Sequence, residues 1–125
     1  MNIYIGHSSS TDFQKEIYRP LKKSSLDEDH NLVFPHEDSD KLFDSKKFFE
    51  QDCDMVVADV SKASTGLGIE LGWADSLEVP ILCICRENSN PSNSIKAVTE
   101  RVEKYSDSEE LIEIINQEIK RLQRE

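Results

Sequence analysis

Short apolar runs alternate along the chain with longer stretches in which apolar residues recur every three or four positions. Five runs have the composition of β-strands, at residues 2–6, 31–35, 55–60, 80–85 and 101–105. The runs at 55–60 (MVVADV) and 80–85 (PILCIC) show little polar alternation, which is typical of strands buried on both faces of a parallel sheet. We therefore expect five strands, with the last at the edge of the sheet.

Helical periodicity between these runs predicts how the strands are connected. The first helix is predicted from Ser10 or Thr11 onward, with a kink or early end at Pro20, and the second over about 40–51. The third is predicted from the STGLG stretch at 64–68 to about Leu77. A short helix is predicted after Pro91, and the last over 107–123. This alternation predicts an α/β fold, a doubly wound (Rossmann/flavodoxin-like) three-layer sandwich around a roughly five-stranded parallel sheet. Because 125 residues is the length of one ordinary domain, we expect residues 1–125 to form a single domain.

The acidic composition narrows the classes of partner. The chain has 25 acidic and 15 basic residues, a formal net charge of −10 and a pI of about 4.7. No broad positive field is therefore available to attract nucleic acid or anionic lipid. The apolar runs are also far shorter than the roughly 20 residues needed to cross a bilayer. We expect no nucleic acid polymer and no membrane among the partners of this chain.

The cysteines and histidines predict neither a disulfide framework nor a metal site. Three cysteines, with no CxxC pair and no secretory leader before them, fit free thiols in a reducing, cytoplasmic environment. Cys83 and Cys85 lie two apart on a predicted strand and should share a face in the core. The residues that could form a metal cluster have spacings that match no ligand pattern: His7, His30, His36, Glu37 and Asp38. We expect no metal and no cofactor.

The segments that follow the strands carry the candidate chemistry, because ligands of open α/β sheets bind at the carboxyl ends of the strands. These segments are residues 6–10, 36–38, 59–68 and 86–94. The first and third are rich in glycine and small hydroxyl residues, whose backbone N–H groups at a helix start can hold a phosphate or a carboxylate. Arg86 is a candidate cation for the same anion. Gly66 and Gly68 fit this anion site, and they fit equally a tight turn from strand to helix that has no ligand.

Glu70 follows this glycine-rich stretch, in the first turn of the predicted third helix. The helix macrodipole favours a carboxylate at that position. A positioned carboxylate beside the crevice suits nucleophilic attack on the anomeric carbon of a sugar. Periodicity alone fits equally well an ordinary first-turn glutamate with no role beyond the helix start.

The string VVADVSKASTGLGIELGWA, followed by PILCICR, resembles the nucleoside 2-deoxyribosyltransferase family. Within that family it is most similar to the 2′-deoxynucleoside 5′-phosphate N-hydrolases. The order of elements matches along nearly the whole chain, whereas the specific motif covers only about residues 54–86. The resemblance implies hydrolysis of the N-glycosidic bond of a (deoxy)nucleoside 5′-monophosphate by a homodimer. Free base and sugar phosphate would be the products.

The resemblance assigns the catalytic step to Glu70, in the segment Glu70-Leu71-Gly72. Glu70 would attack C1′ of the sugar, displace the base and form a glycosyl-enzyme intermediate. Water then releases the sugar phosphate in a hydrolase, whereas a second base captures the sugar in a transferase. Tyr4, on the first strand, matches the tyrosine that orients the nucleophile. Its position also fits a core aromatic residue.

The resemblance further implies a set of substrate-binding residues. Ser8 matches a phosphate ligand, and Ser94 matches a phosphate-binding serine that the neighbouring subunit contributes. Ser64 stands where transferases of unphosphorylated nucleosides carry an aspartate, and a hydroxyl attracts a phosphate that a carboxylate would repel. His36 matches a histidine near the base. The whole set is Gly6, Ser8, His36, Ser64, Gly66, Gly68, Arg86 and Ser94.

One departure from the pattern leaves the general acid open. The hydrolases carry an aspartate on the second helix, and the same register falls on Lys46 in this chain. Asp44 is two residues away, which points to another face of a helix. Asp59, at the end of the third strand, is the alternative acid, and it fits a turn or cap role equally. The acid is therefore Asp59, Asp44 or absent.

Three other functions stay open at the level of sequence. Deoxyribosyl transfer between bases is disfavoured by Ser64. A nucleotide-binding or signalling module with little catalysis is permitted by the lysine at position 46. Domains similar to TIR domains also place a glutamate after the third strand, but the ELG motif fits the deoxyribosyltransferase family more closely.

Overall fold

The computed structural model describes residues 1–37 and 43–124. In that part of the chain, five parallel strands form one sheet in the order β2-β1-β3-β4-β5. The strands are β1 (Asn2–His7), β2 (Asn31–Val33), β3 (Met55–Asp59), β4 (Ile81–Arg86) and β5 (Val102–Tyr105). This order is that of a doubly wound flavodoxin-like sheet, and the predicted fold class is confirmed.

Helices cover both faces of the sheet. They are α1 (π-helical over Gln14–Tyr18 and α-helical over Arg19–Lys22), α2 (Ser25–Asp29), α3 (Ser45–Gln51), α4 (Thr65–Ser76) and α5 (Ser108–Gln123), with a 3₁₀ helix at Asn93–Ala97. The short helix α2 was not predicted. Within the described residues the predicted helix at 40–51 begins at Ser45, and its expected start, with Leu42, lies outside them.

The first helix is irregular where it approaches Pro20. The backbone N–H of Arg19 donates to the carbonyl of Gln14, five residues earlier, so this turn is π-helical. Pro20 has no N–H to donate, and the helix ends soon after it, at Lys22. The predicted kink or early end is therefore confirmed.

Two separate apolar cores lie on the two faces of the sheet, which we call the α1/α5 face and the α3/α4 face. The α1/α5 face buries Ile3, Ile5, Ile17, Tyr18, Val57, Leu82, Ile84, Tyr105, Leu111 and Ile115, among others. The α3/α4 face buries Tyr4, Phe49, Val56, Ala58, Leu67, Leu71, Cys83 and Cys85, among others. Successive residues of a strand point to opposite faces, so each side chain at a strand end belongs to one of these two environments.

The three cysteines are free thiols, as predicted, and Cys83 and Cys85 share the α3/α4 face. Burial raises the pKa of the Cys83 thiol to about 12, which keeps it protonated and unreactive. In the described part of the chain, no helix is both long and apolar enough to cross a membrane.

Candidate active site

Helix α4 starts with a side-chain cap. Ser64 has an extended backbone, and its hydroxyl accepts a hydrogen bond from the N–H of Leu67. Gly66 and Gly68 lie inside the helix rather than in the turn before it, and neither has a positive φ. The tight-turn explanation for these glycines is therefore wrong. A Cβ added at Gly68 would meet nothing within 4 Å, so this glycine leaves the helix surface open.

Glu70 lies in the second turn of α4, and the prediction of a first-turn position is wrong because the helix begins at Thr65. Its side chain contacts Tyr4 of β1. The hydroxyl of Tyr4 donates a hydrogen bond to Oε2 of Glu70. Tyr4 is buried, whereas Glu70 is half-buried. Gly6 permits this approach, because a Cβ there would lie 3.0 Å from Cδ1 of Leu67. Gly6 therefore lets α4 pack closely against β1, which is a packing role that accompanies its predicted place in the site.

Ser45 completes this cluster, and sequence reasoning did not find it. Its Oγ lies 2.8 Å from the hydroxyl oxygen of Tyr4, and the residue is 7% exposed. Burial raises the pKa of the Tyr4 hydroxyl well above its usual range, and the Glu70 carboxylate raises it further. Tyr4 therefore stays protonated and acts as a hydrogen-bond donor. The one available signal was a serine directly after a cap-forming aspartate, ahead of two phenylalanines.

Lys46, at the register of the family's aspartate, and the candidate acid Asp44 both have other contacts. Asp44 caps α3, where its carboxylate accepts a hydrogen bond from the N–H of Lys47 at 3.1 Å. The ammonium of Lys46 lies 6.0 Å from the ring centroid of Trp73. Both Asp44 and Lys46 are exposed. Residues 38–42, which include Asp38 of the predicted crevice segment, lie outside the described part of the chain.

A cavity of about 370 Å³ lies between the start of α4 and the 3₁₀ helix. Its polar lining includes Lys62, Ser64, Thr65, Ser92 and Ser94, and Gly68 forms part of its wall. The structure thus brings Ser64, Gly68 and Ser94 together within one chain. The volume of this cavity falls in the range of roughly 300–1,000 Å³ that is usual for small-molecule sites.

A second cavity of about 300 Å³ is bordered by Asp59, Arg86 and the loop after β1. The carboxylate of Asp59 accepts hydrogen bonds from the hydroxyl of Tyr105 and, at 2.9 Å, from the N–H of Ser61. The guanidinium of Arg86 pairs with Glu16 at 3.3 Å and lies 5.3 Å from the ring centroid of Tyr105. Asp59 therefore has the contacts of a turn residue, and it follows Val57 on the α1/α5 face, opposite Tyr4.

The loop after β1 is held by a buried histidine. Nδ1 of His7 lies 3.1 Å from the carbonyl of Ser8, and Nε2 lies 2.7 Å from the hydroxyl of Tyr18. Because a carbonyl only accepts, Nδ1 carries the proton and Nε2 accepts from Tyr18. The same hydroxyl accepts the N–H of His36 at 3.1 Å. Burial lowers the pKa of His7, although its bond to the Ser8 carbonyl opposes that effect.

The remaining predicted residues lie beside this loop. Ser8 is buried, and its hydroxyl lies 2.8 Å from that of Ser10, which borders the second cavity. His36 is exposed, and its ring centroid is 5.3 Å from that of His7. Among the described residues, no cluster of three or more His, Cys, Asp or Glu side chains has the geometry of a metal site.

Similar proteins were found by comparison with solved structures, but not by comparison of the sequence. No family model matches the sequence, and no curated protein matches it. The CMP N-glycosidase BcmB of Clostridium botulinum is a similar solved structure, 18% identical with a TM-score of 0.64 over 93% of this chain and 99% of that chain. A conserved protein from Enterococcus faecalis V583 is 16% identical with a TM-score of 0.66 over 94% of this chain and 98% of that chain. At these identities the likeness establishes a shared fold.

Proposed function

We propose that this chain is a member of the nucleoside 2-deoxyribosyltransferase family that acts as a nucleotide N-glycosidase. It hydrolyses the N-glycosidic bond of a (deoxy)nucleoside 5′-monophosphate and releases free base and sugar phosphate. The observation that carries the proposal is the hydrogen bond from the buried Tyr4 to the half-buried Glu70. It holds one carboxylate of α4 against β1, and Tyr4 also contacts Ser45 at the start of α3.

The contacts of Glu70 suit a nucleophile. Its Oε2 is held by Tyr4, whereas Oε1 accepts no hydrogen bond from the described residues. Within residues 1–37 and 43–124, Glu70 also forms no salt bridge that would neutralise its charge. In the proposed reaction an oxygen of Glu70 bonds to C1′ while the C1′–N bond breaks and its electron pair leaves with the base. Water then cleaves the glycosyl ester, so the sugar configuration is retained.

The first cavity supports a phosphorylated substrate. The hydroxyl of Ser64 and the N–H groups at the start of α4 suit a 5′-phosphate, and Ser94 lies in the same cavity. BcmB, by its name, acts on CMP. A pyrimidine nucleoside monophosphate is accordingly the first substrate to test. Ser94 thus lies near Ser64 within one chain, whereas the family resemblance assigns that serine to the neighbouring subunit of a homodimer.

Both residues considered for the general acid are engaged by other groups. Asp59 is bonded to Tyr105 and Ser61 on the opposite face, and Asp44 caps α3. These contacts favour a reaction in which neither residue protonates the base directly. A nucleotide-binding module with little catalysis is the second candidate function, because Lys46 stands where the hydrolases carry an acid. Base exchange is the third.

The test is to incubate purified protein with a panel of ribo- and deoxyribonucleoside 5′-monophosphates and to follow free base by chromatography. We expect base release from at least one member, and no release by Glu70→Ala. The absence of base release from every member would overturn the hydrolase and favour the binding module. A product that forms only when a second free base is added would assign deoxyribosyl transfer instead.

A further inference from the structure

We propose that Ser45 is a positioning residue for the nucleophile, acting through Tyr4. Its hydroxyl donates to the oxygen of Tyr4 and thereby directs the single proton of Tyr4 toward Glu70. This inference rests on the proposed role of Glu70 as the nucleophile. It adds a residue that neither the motif nor the family resemblance indicates.

The direction of the two hydrogen bonds follows from counting protons. A tyrosine hydroxyl has one proton to donate, and Tyr4 gives it to the carboxylate of Glu70, which only accepts. The contact of 2.8 Å between Tyr4 and Ser45 then requires Ser45 to be the donor. The two hydrogen bonds thus form one chain that runs from Ser45 through Tyr4 to Oε2 of Glu70.

The start of α3 does not itself need the hydroxyl of Ser45. Asp44 already caps that helix. Ser108 occupies the same position in α5, directly after the cap residue Asp107, and it is exposed. Ser45 is instead buried, where a hydroxyl costs free energy unless it is hydrogen-bonded. The contact with Tyr4 accounts for a polar side chain at this place.

The contact has a consequence for the carboxylate. A hydroxyl that accepts a hydrogen bond becomes a stronger donor, because neighbouring hydrogen bonds polarise one another. Ser45 thus strengthens the bond that holds Oε2 of Glu70 and keeps the Tyr4 proton from turning away. Without Ser45, the carboxylate would sample more orientations, and fewer of them would present an oxygen to C1′.

A kinetic double-mutant cycle tests this role. We expect Ser45→Ala to lower kcat about 3- to 10-fold with KM within about twofold, the effect of losing one buried hydrogen bond. Tyr4→Phe should lower kcat about 10- to 100-fold, and Ser45→Ala should add nothing in the Tyr4→Phe background. Ser45→Thr, which keeps the hydroxyl, should restore kcat. Ser108→Ala is the matched control and should leave kcat unchanged.

Independent effects of Ser45→Ala and Tyr4→Phe would overturn the inference while leaving the nucleotide N-glycosidase in place. Failure of Ser45→Thr to restore kcat in a variant that melts like the parent would do the same. Failure of the wild type to release any base would overturn the proposed function.

In that last case unfolding equilibria decide the role of Ser45. Ser45→Ala and Glu70→Ala, which removes the acceptor of the Tyr4 proton, should be coupled by about threefold or more in the unfolding constant when Tyr4 is present. They should be uncoupled in Tyr4→Phe. Coupling that is missing with Tyr4, or that persists without it, would contradict the chain of hydrogen bonds.

Discussion

Two carboxylates on opposite faces of the sheet are each bonded to a buried tyrosine, yet their surroundings differ. Asp59, on the α1/α5 face, is 4% exposed, and both of its oxygens accept hydrogen bonds. Glu70, beside the α3/α4 face, is half-buried, and Tyr4 bonds to its Oε2. The first carboxylate is saturated by its neighbours, whereas the second keeps an oxygen available for a ligand.

This difference separates structural from chemical carboxylates. A buried carboxylate that accepts hydrogen bonds from a tyrosine and from the backbone stabilises the packing of two strands and a turn. Hydrogen bonds to charged groups contribute about 1.5–3 kcal/mol each. A half-exposed carboxylate with one donor contributes less to folding, but it is oriented and remains accessible. On this comparison Glu70 is the residue suited to attack a sugar carbon, and Asp59 the residue suited to hold the edge of the sheet together.

The largest expected effect is on activity and comes from Glu70→Gln. Removing the nucleophile should lower kcat at least about 10³-fold. The melting temperature should change by no more than about 4 °C, because the amide oxygen of the introduced glutamine can still accept from Tyr4. Steady-state base release and thermal melting measure the two effects. Asp75→Asn, an exposed acid on the same helix, is the control, and equal losses in both variants would contradict the assignment.

Asp59→Asn should show the opposite profile. Asparagine keeps the shape but loses the charge that Tyr105 and Ser61 stabilise, so the free energy of unfolding should fall by about 1–3 kcal/mol. The kcat of the folded variant should stay within about threefold of wild type. Urea denaturation and base release are the measurements. A large loss of kcat at unchanged stability would identify Asp59 as the general acid. It would contradict the assignment of a purely structural role to the carboxylate on the α1/α5 face.

The two tyrosines should also differ when each loses its hydroxyl. Tyr105→Phe leaves an oxygen of the buried Asp59 without its donor, and we expect a cost of about 1.5–3 kcal/mol. Tyr4→Phe leaves Glu70 within reach of water and removes the partner of only one neutral group, the Ser45 hydroxyl, so we expect a smaller cost of about 1 kcal/mol. Parallel urea titrations compare the two variants. A reversed order would show that Tyr4 serves the core more than the site.

A pH dependence of stability should arise at His7, on the α1/α5 face. His7 is surrounded by the Phe13 ring, the Tyr18 hydroxyl and the His36 ring. Burial lowers the pKa of His7, and Asp59 raises that pKa by a smaller amount. Its pKa is lowered in the folded protein, so the unfolded chain binds the proton more readily below about pH 6.5. Stability should therefore fall as pH drops below 6.5, by up to about 1.4 kcal/mol per pH unit.

Urea titrations between pH 5 and 8 measure this slope. His7→Gln should be less stable at every pH, because it loses the hydrogen bond between the imidazole of His7 and the hydroxyl of Tyr18. Its stability should depend less on pH over that interval. An unchanged slope in His7→Gln would assign the pH dependence to other groups.

Several elements of the fold were predictable because their signals are local. Helix α5 begins at a capping aspartate, Asp107, that accepts the N–H of Glu110, and α4 begins at the cap Ser64. The sequence predicted the start of α5 at Ser106 or Asp107 and that of α4 within the STGLG stretch, without identifying Ser64 as its cap. The helix α2 was missed because its five residues bury just Leu26, which is too little to show a period. Ser45 was missed because its burial depends on where α3 begins and how it packs on Tyr4.

The sequence by itself determined the order of strands and helices and the presence of Glu70 on α4, but not its turn, because α4 begins at Thr65 and its first turn holds no acidic residue. Only the tertiary structure decided which face of the sheet each strand-end side chain occupies. The physical reason lies in β3, which is buried at every position, so no alternation shows whether Ala58 or Asp59 faces α4. Packing of the helices set that choice. It joined Glu70 to Tyr4 and Ser45 on one face and Asp59 to Tyr105 on the other.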